Sequence, residues 1–296
     1  MTELLLFTIE LTRHTSAVFR WALVKPEHSR LQEKLRRFSS LEDFLEVQEG
    51  FVTGADSVFI RKAHVIPKNE KEIYVPYLSD REMERFNVPR KALRYVFHPF
   101  IGDKKLTEKG LRESFRETWE YLKENRATLK KRSSVVAGSV AWWCPHRPMP
   151  VLKMLRPKLV SPHLVLIPRF SFDEMGKYAV SHSPWLVPKE ETMGEELLRY
   201  FLAVLNSTVA YWQIVQTSHK YSRGYAMLEK KTLRSLAVPN SKDVEPAVMK
   251  KILNLVEKRL GDPNLKQVEA QLDELVSQLY GLSAEDRRQI GLEKMQ

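Results

Sequence analysis

Residues 194–216, GEELLRYFLAVLNSTVAYWQIVQ, have the apolar spacing of an amphipathic helix. Apolar side chains recur every three or four residues, which places them on one helical face. The residues on that face are Leu198, Phe201, Leu202, Leu205, Val209 and Trp212. This stretch therefore predicts a long helix whose apolar face is buried in the protein core.

A second strong helical pattern covers residues 107–132. Its apolar face consists of Leu111, Phe115, Trp119, Leu122 and Leu129. The pattern ends in three consecutive cations, Lys130, Lys131 and Arg132, which suit the negative end of a helix dipole. We therefore predict one helix with a buried apolar face and a basic C-terminus.

Two further groups of helices flank these patterns. Residues 27–49 predict two short helices, the second of which starts at the capping-box sequence Ser40–Asp43. The polar stretch PNSKDVEP at 239–246 predicts a linker, and residues 247–260 and 265–280 predict two amphipathic helices after it. A capping box at Ser283–Asp286 predicts a third helix in this tail.

The glycine-containing stretch GFVTGADSVFI, residues 50–60, predicts a tight turn that leads into a strand. Gly50 and Gly54 tolerate positive φ, and Thr53 and Asp56 can hydrogen-bond to nearby backbone. Short β-rich runs continue through 57–100 and again through 134–185. Helices and short strands in irregular order indicate an α+β fold: a mixed, short-stranded sheet region with two long packed helices, followed by a small helical tail.

Composition and charge indicate a soluble protein with a polyanionic partner. The 296 residues carry a net charge of +11, and residues 121–160 hold nine Lys/Arg against one acid, Glu124. A local net charge of +8 would attract nucleic acid. The single cysteine, Cys144, suits a reducing cytoplasm. The least polar run, 133–144, is too short to span a bilayer, and no signal peptide is visible.

Catalytic motifs are absent from the sequence. There is no glycine-rich phosphate loop, no GxSxG elbow, no HExxH pair and no paired zinc spacing. We therefore predict no catalytic, cofactor-binding or metal-binding residues in this chain, and a binding module in place of an enzyme.

Cations and aromatic residues occur together in three places that would suit contact with DNA. The first is Trp142–Arg147, where we expect Trp143 to stack and Arg147 to contact a base or a phosphate, a buried ion pair of Arg147 being the alternative. The second is the loop containing Lys220, Arg223 and Tyr225, and the third is Arg94 with Tyr95. The predicted phosphate contacts are Lys130, Lys131, Arg132 and Lys158.

The ordered segments of the chain resemble the C-terminal target-recognition region of adenine-specific DNA methyltransferases of the TaqI-like kind, which also occurs in fused restriction–modification enzymes. The matching pieces are LEDFLEVQEGFVTGADSVFI (41–60), KALRYVFHPFIGDKKL (91–106), LKENRATLKKR (122–132), WWCPHR (142–147), RPKLVSPHLVLIPRFSF (156–172), YFLAVLNSTVAYWQI (200–214), SRGYAMLEKKTLRSLAVP (222–239) and LDELVSQLYGLSAEDRRQI (272–290).

This resemblance implies three parts: a linker or remnant of a catalytic-domain junction at 1–45, a DNA target-recognition domain at 46–240 and a helical C-terminal tail at 241–296. It makes the turn of Gly50, Thr53, Gly54 and Asp56 the structural opening of the recognition domain, with direct base reading by the turn as the alternative. It also implies that S-adenosylmethionine and the catalytic motifs belong to a partner methyltransferase domain or subunit, so that this chain is expected to be a specificity fragment, a split-gene subunit or a cropped piece of a longer protein.

The function predicted from the sequence is therefore sequence-specific binding of double-stranded DNA for adenine N6 methylation or restriction–modification, in the cytoplasm and without a membrane. Two alternatives remain at this point. One is a DNA-processing nuclease with an unrecognised site, and the other is a basic interaction subunit that binds RNA or an acidic protein.

Overall fold

The computed structural model describes residues 26–147, 153–190, 194–219 and 224–291. The fold is α+β, as the sequence predicts, with several small sheets among short and medium helices. The α-helices are α1 Pro26–Leu35, α2 Asp56–Phe59, α3 Glu108–Ser114, α4 Arg116–Glu124, α5 Arg126–Lys130, α6 Ser133–Val136, α7 Gly194–Leu205, α8 Thr208–Thr217, α9 Lys230–Arg234, α10 Pro246–Gly261, α11 Gln267–Leu279 and α12 Ala284–Ile290.

The strands are short. They are β1 Ser39–Ser40, β2 Leu45–Glu49, β3 Ile60–Lys62, β4 Tyr74–Tyr77, β5 Phe86–Asn87, β6 Arg94–Phe97, β7 Phe100–Ile101, β8 Lys104–Lys105, β9 Lys158–Val160, β10 Leu164–Val165, β11 Ser171–Asp173, β12 Pro184–Pro188, β13 Ala226–Met227 and β14 Ala237–Val238. The largest sheet has the order β2-β12-β9-β11-β5 and is antiparallel except for the parallel β11–β5 pair. A three-stranded antiparallel sheet has the order β3-β6-β4.

The apolar face predicted for 194–216 is buried, but the predicted single helix is two helices. All six predicted side chains are at most 7% exposed. The chain breaks at Asn206 and Ser207, whose side chains bond to backbone and so compete with helical continuation. The Asn206 amide donates to Phe170 O (2.8 Å) and accepts from Phe170 N–H (3.0 Å), while Ser207 Oγ caps α8 by accepting from Ala210 N–H. Asn206 thus fixes α7 against the segment that enters β11.

The apolar face predicted for 107–132 is also buried, and the predicted single helix is also divided. It forms α3, α4 and α5, with breaks at Phe115 (φ −129°, ψ 61°) and Asn125. These helices surround a separate hydrophobic cluster, called here the α3–α5 core. Its members include Val58, Phe59, Ile73, Tyr74, Phe97, Leu111, Phe115, Trp119, Leu122, Leu129, Trp143 and Cys144.

Three local predictions were wrong. The capping box at Ser40–Asp43 starts a single 3-10 turn, after which β2 pairs with β12 instead of forming a helix. Residues 133–143, predicted as strand, form α6 and turns. The stretch after the glycine turn forms the short helix α2, and the strand begins only at Ile60. In each case long-range pairing or packing overrode a weak local preference.

The C-terminal helices agree with their sequence patterns, and the capping box of α12 is present. Helix α10 packs against α7 and α11, and the buried faces of α10 and α11 belong to the same hydrophobic cluster as α7 and α8. An ion pair between Lys34 and Asp286 (2.6 Å) also joins α1 to α12. The helices at 246–290 therefore share one hydrophobic core with the helices at 194–216. None of the helices in the described ranges has the length and apolar character needed to cross a bilayer.

Candidate nucleic-acid interface

The glycine turn is held by backbone contacts on both sides. Gly50 N–H donates to Ser183 O (3.0 Å), and a Cβ at Gly50 would lie 2.3 Å from Val180 O. Gly54 has φ +72°, the left-handed region that favours glycine. Thr53 Oγ1 donates to the Asp56 carboxylate and accepts from Ala55 N–H. The two glycines are thus required for different reasons, a close backbone approach and a positive φ.

Gly50→Ala is expected to lower the free energy of unfolding by about 1–3 kcal/mol, because the new methyl group would force apart two backbone segments. Urea denaturation would measure the change. Gly261→Ala is the control, since a Cβ there meets no heavy atom within 4 Å. If the two variants had equal midpoints, close packing at Gly50 would not be the reason for its glycine.

Arg132 is buried and donates a hydrogen bond to the glycine turn. This position contradicts the phosphate contact predicted for it. Its side chain is buried, and its guanidinium donates to the carbonyls of Leu129 (3.0 Å), Thr53 (3.2 Å), Cys144 (2.8 Å) and Trp142 (2.6 Å). The guanidinium also lies 5.0 Å from the Phe59 ring centroid. Burial lowers the pKa of Arg132. This arginine cannot reach a DNA backbone, because its donors are directed at backbone carbonyls in the interior.

The two tryptophans at 142 and 143 occupy a turn and not a strand. Trp143 is 4% exposed and belongs to the α3–α5 core, so its predicted stacking on DNA bases is wrong. Trp142 is half-buried; its ring centroid lies 5.4 Å from that of Trp119 and 5.1 Å from the Arg126 guanidinium carbon. Burial raises the pKa of the neighbouring Cys144 thiol, which is fully buried.

Arg147 is placed beside the glycine turn with its side chain exposed. Its backbone N–H donates to Val52 O (3.0 Å), and the N–H of His146 donates to Thr53 O (3.0 Å). The exposed side chain does not match the alternative of a buried ion pair. Arg147 therefore remains available for an external ligand.

Three chain segments converge here, and together they are called the turn junction: residues 52–56, 129–132 and 142–147. Arg132 and two backbone hydrogen bonds connect them. Lys130 and Lys131 are exposed where α5 ends, next to the buried Arg132. The turn junction thus carries three predicted contact residues, Lys130, Lys131 and Arg147, at its surface.

Lys158 does not contribute to a surface. It is fully buried in β9, and its Nζ lies 2.6 Å from Asp173 Oδ2 in β11, which is also fully buried. Burial lowers the pKa of Lys158, and the attraction of Asp173 acts in the opposite direction. The Asp173 carboxylate also accepts from Tyr178 N–H (2.9 Å) and Lys177 N–H (3.2 Å). The predicted phosphate contact of Lys158 is therefore wrong, because the residue pairs two strands inside the protein.

The remaining residues predicted to contact DNA do not lie at the turn junction. Lys220 and Arg223 lie outside the described residues. Tyr225 is half-buried just before β13, after Gly224, which has φ +80°. Arg94 is exposed at the start of β6.

Sequence reasoning missed the cations opposite Arg94. Lys62 in β3 is the direct cross-strand partner of Arg94, and both side chains are exposed. The signal was present in the sequence, because residues 57–69 and 87–102 together contain six Lys/Arg and no acid. Only the strand pairing shows that these two segments are adjacent.

Across the described ranges, no group of His, Cys, Asp or Glu side chains is arranged to hold a metal ion.

Comparison with known proteins finds sequence similarity to type II methyltransferases. It is 25% identical over 285 residues to the type II methyltransferase M.PaeR7I of Pseudomonas aeruginosa, covering 95% of this chain and 46% of that protein. It is 21% identical over 260 residues to the type II methyltransferase M.BanIII of Aneurinibacillus aneurinilyticus, covering 83% of this chain and 43% of that protein. The chain thus spans less than half the length of these relatives. No protein-family model matches it.

Two solved structures share the fold. The type IIL restriction–modification enzyme MmeI, solved in complex with DNA, has a TM-score of 0.54 at 14% identity and matches 84% of this chain and 35% of its own. The type IIG restriction endonuclease BpuSI has a TM-score of 0.51 at 13% identity and matches 88% of this chain and 33% of its own. The two relatives are thus type II methyltransferases, and the likeness to the two restriction enzymes concerns the fold alone.

Proposed function

We propose that this chain is a DNA target-recognition module of an adenine N6-specific methyltransferase or restriction–modification enzyme. It binds duplex DNA sequence-specifically and orients it for a separate catalytic domain. That domain supplies S-adenosylmethionine and extrudes the target adenine from the duplex. Adenine as the target base rests on the resemblance of the ordered segments to adenine-specific enzymes.

The observation that carries the proposal is the extent of the alignment with the two methyltransferases. The alignments cover 95% and 83% of this chain, yet they account for 46% and 43% of the lengths of the two relatives. The sequence contains neither the FxGxG-like loop with which methyltransferases of the kind that this chain resembles bind S-adenosylmethionine nor the Asn/Asp/Ser-Pro-Pro-aromatic tetrapeptide with which they hold the target amine. These two observations support our assignment of target recognition to the aligned part of the relatives and of catalysis to the rest.

The turn junction supplies a surface suited to this task. Lys130 and Lys131 are exposed ammonium groups that can neutralise phosphates, and Arg147 presents a planar fork that can pair bidentately with guanine. Their backbone is fixed by the internal contacts of Arg132, so the cations project from a rigid base. Rigid support is what base-specific contacts require.

Selection from a randomised duplex library tests the proposal. The purified chain is expected to enrich one short sequence, and competition with RNA or heparin is expected to displace that DNA poorly. Equal binding of duplex DNA, RNA and heparin without enrichment would instead support the basic interaction subunit. Incubation of plasmid DNA with Mg²⁺ tests the nuclease alternative, and site-specific cleavage would replace the proposal.

Substituting Lys130 and Lys131 together by Ala is expected to weaken binding to all DNA sequences. Each lost phosphate contact should reduce the slope of log K against log salt by about 0.9. The matched control is the double Ala variant of Lys250 and Lys251, an exposed lysine pair on α10. Equal salt slopes for the two variants, measured by fluorescence anisotropy, would remove the turn junction from the interface.

Arg147→Ala is expected to relax discrimination at one base pair, at a cost of about 1–3 kcal/mol for the preferred sequence. Arg147→Lys keeps the charge but lacks the planar fork, so it should retain affinity for non-preferred duplexes while losing the same discrimination. Repeating the library selection with both variants measures this. An unchanged preferred sequence would show that Arg147 does not read bases.

A further inference from the structure

The paired strands β3 and β6 carry an unbalanced positive charge. The acid-free segments 57–69 and 87–102 meet through this pairing, which sets Lys62 directly opposite Arg94. Like charges in directly opposed positions destabilise a sheet. Arg90 and Lys91, on the turn that leads into β6, are also exposed. This surface, residues 60–65 and 90–97, is called here the basic ribbon. Its exposed cations favour the binding of an external anion.

Leu93 lies among these cations and is 63% exposed. Val65, in the segment that follows β3, is also exposed, at 43%. Exposed apolar side chains of this size are individually common, but they are informative where the backbone is fixed and the surroundings are charged. Leu93 meets both conditions, because Lys91 and Arg94 flank it in the sequence and its carbonyl is bonded to Ala63, the residue after Lys62.

The backbone of the turn before β6 is held at several points. Leu93 O accepts from Ala63 N–H (2.9 Å), Pro89 O accepts from the Tyr178 hydroxyl (2.7 Å), and Arg90 O accepts from Lys177 Nζ (2.6 Å). Ala92 packs against a hydrophobic cluster. The turn therefore presents Leu93 to solvent in a fixed position.

We propose that the basic ribbon is a second contact with duplex DNA, in which Leu93 inserts as an apolar wedge against a base step. Lys62 and Arg94 neutralise phosphates beside the wedge, and Arg90 and Lys91 extend the contact along the backbone. Apolar wedges between phosphate-binding cations are used by proteins that unstack and kink a duplex. This inference deepens the proposed function and rests on it, since extrusion of a target base is easier from a distorted duplex.

Duplex DNA accounts for both features of the ribbon. Phosphates relieve the repulsion between Lys62 and Arg94, and the stacked bases between the two phosphate strands offer an apolar surface to Leu93. An acidic protein or an RNA strand is the competing occupant. Duplex DNA is distinguished from these competing occupants by whether Leu93 contributes to bending of the duplex.

The experiment uses the full chain and a mixed-sequence duplex of about 30 base pairs with a dye at each end. Leu93→Ala is expected to lower affinity about tenfold, from the lost apolar burial, and to reduce the bend reported by energy transfer. The slope of log K against log salt should be the same for Leu93→Ala as for the wild type. Lys62→Ala and Arg94→Ala should each reduce the salt slope by about 0.9.

Met175→Ala is the matched control. Met175 is 78% exposed but lies outside the ribbon and directly follows Glu174, so its loss should change neither affinity nor bend. If Leu93→Ala behaved like Met175→Ala, or if Lys62→Ala and Arg94→Ala kept the wild-type salt slope, the ribbon would not contact DNA. Failure of the proposed function is a different result: the wild-type chain would enrich no sequence in the library selection. In that case the ribbon variants would still show whether the ribbon binds the mixed-sequence duplex.

Discussion

Arg132→Met is expected to lower the free energy of unfolding by about 3–5 kcal/mol, because several buried carbonyls lose their donor together. Arg132 connects the carbonyls of Leu129, Thr53, Cys144 and Trp142, which come from three separate segments. Methionine fills part of the volume but donates no hydrogen bond. Urea denaturation followed by tryptophan fluorescence measures the loss.

Cys144 gives a local readout of the same substitution. It is the only cysteine of the chain, it is fully buried, and its carbonyl accepts from Arg132. Burial raises the pKa of its thiol, so the native protein should react slowly with a thiol reagent. Arg132→Met is expected to accelerate labelling, because the turn junction opens more often.

Lys131→Ala is the control for both measurements, since Lys131 is the exposed neighbour of Arg132. Its effect on stability should lie within about 0.5 kcal/mol, as for most surface substitutions. Arg132→Lys should be intermediate, because one ammonium group cannot reach all four carbonyls. If Arg132→Met kept wild-type stability and lost only DNA affinity, the interior role described above would be wrong.

Lys158→Met is expected to cost about 3–5 kcal/mol of stability, because it leaves the Asp173 carboxylate buried without its counter-ion. Both side chains are 0% exposed, and their contact joins β9 to β11 in the centre of the largest sheet. The measurement is again the urea midpoint, at a pH well above the ordinary pKa of an aspartate.

The double variant Lys158→Met, Asp173→Asn identifies the cause. Asparagine removes the unpaired charge but keeps only one carbonyl oxygen, so it can accept from the N–H of Tyr178 or of Lys177 but not from both, since these donate to different oxygens of the carboxylate. The double variant should therefore recover part of the stability lost by Lys158→Met alone. If it were no more stable than the single variant, loss of packing and not an uncompensated charge would explain the effect. Lys250→Met, at an exposed position, controls for the lysine-to-methionine change itself.

The apolar faces were the part of the fold that the sequence predicted best. The faces around Leu198 and Leu111 are buried as predicted, because periodic apolar spacing is a local property that survives in any packing of the helix. The breaks at Asn206 and Phe115 were not predicted. Asn206 ends a helix because its amide bonds to Phe170, a partner 36 residues away that no local pattern reveals.

The predicted binding residues show the same limit. Lys130, Lys131, Arg147 and Arg94 are exposed, whereas Arg132, Trp143 and Lys158 lie in the interior. A run such as Lys130-Lys131-Arg132 looks uniform in the sequence. Its third member turns inward because four carbonyl groups from three segments meet beside it, and that meeting is created only by the fold.

The sequence by itself determined the α+β class, the two apolar helical faces, the excess of positive charge and the likeness to type II methyltransferases. The tertiary structure decided which cations reach solvent, and it brought the acid-free segments at 57–69 and 87–102 together as neighbouring strands. The reason is physical: amphipathic spacing is set by adjacent turns of one helix, while the burial of a charge depends on partners that are distant along the chain.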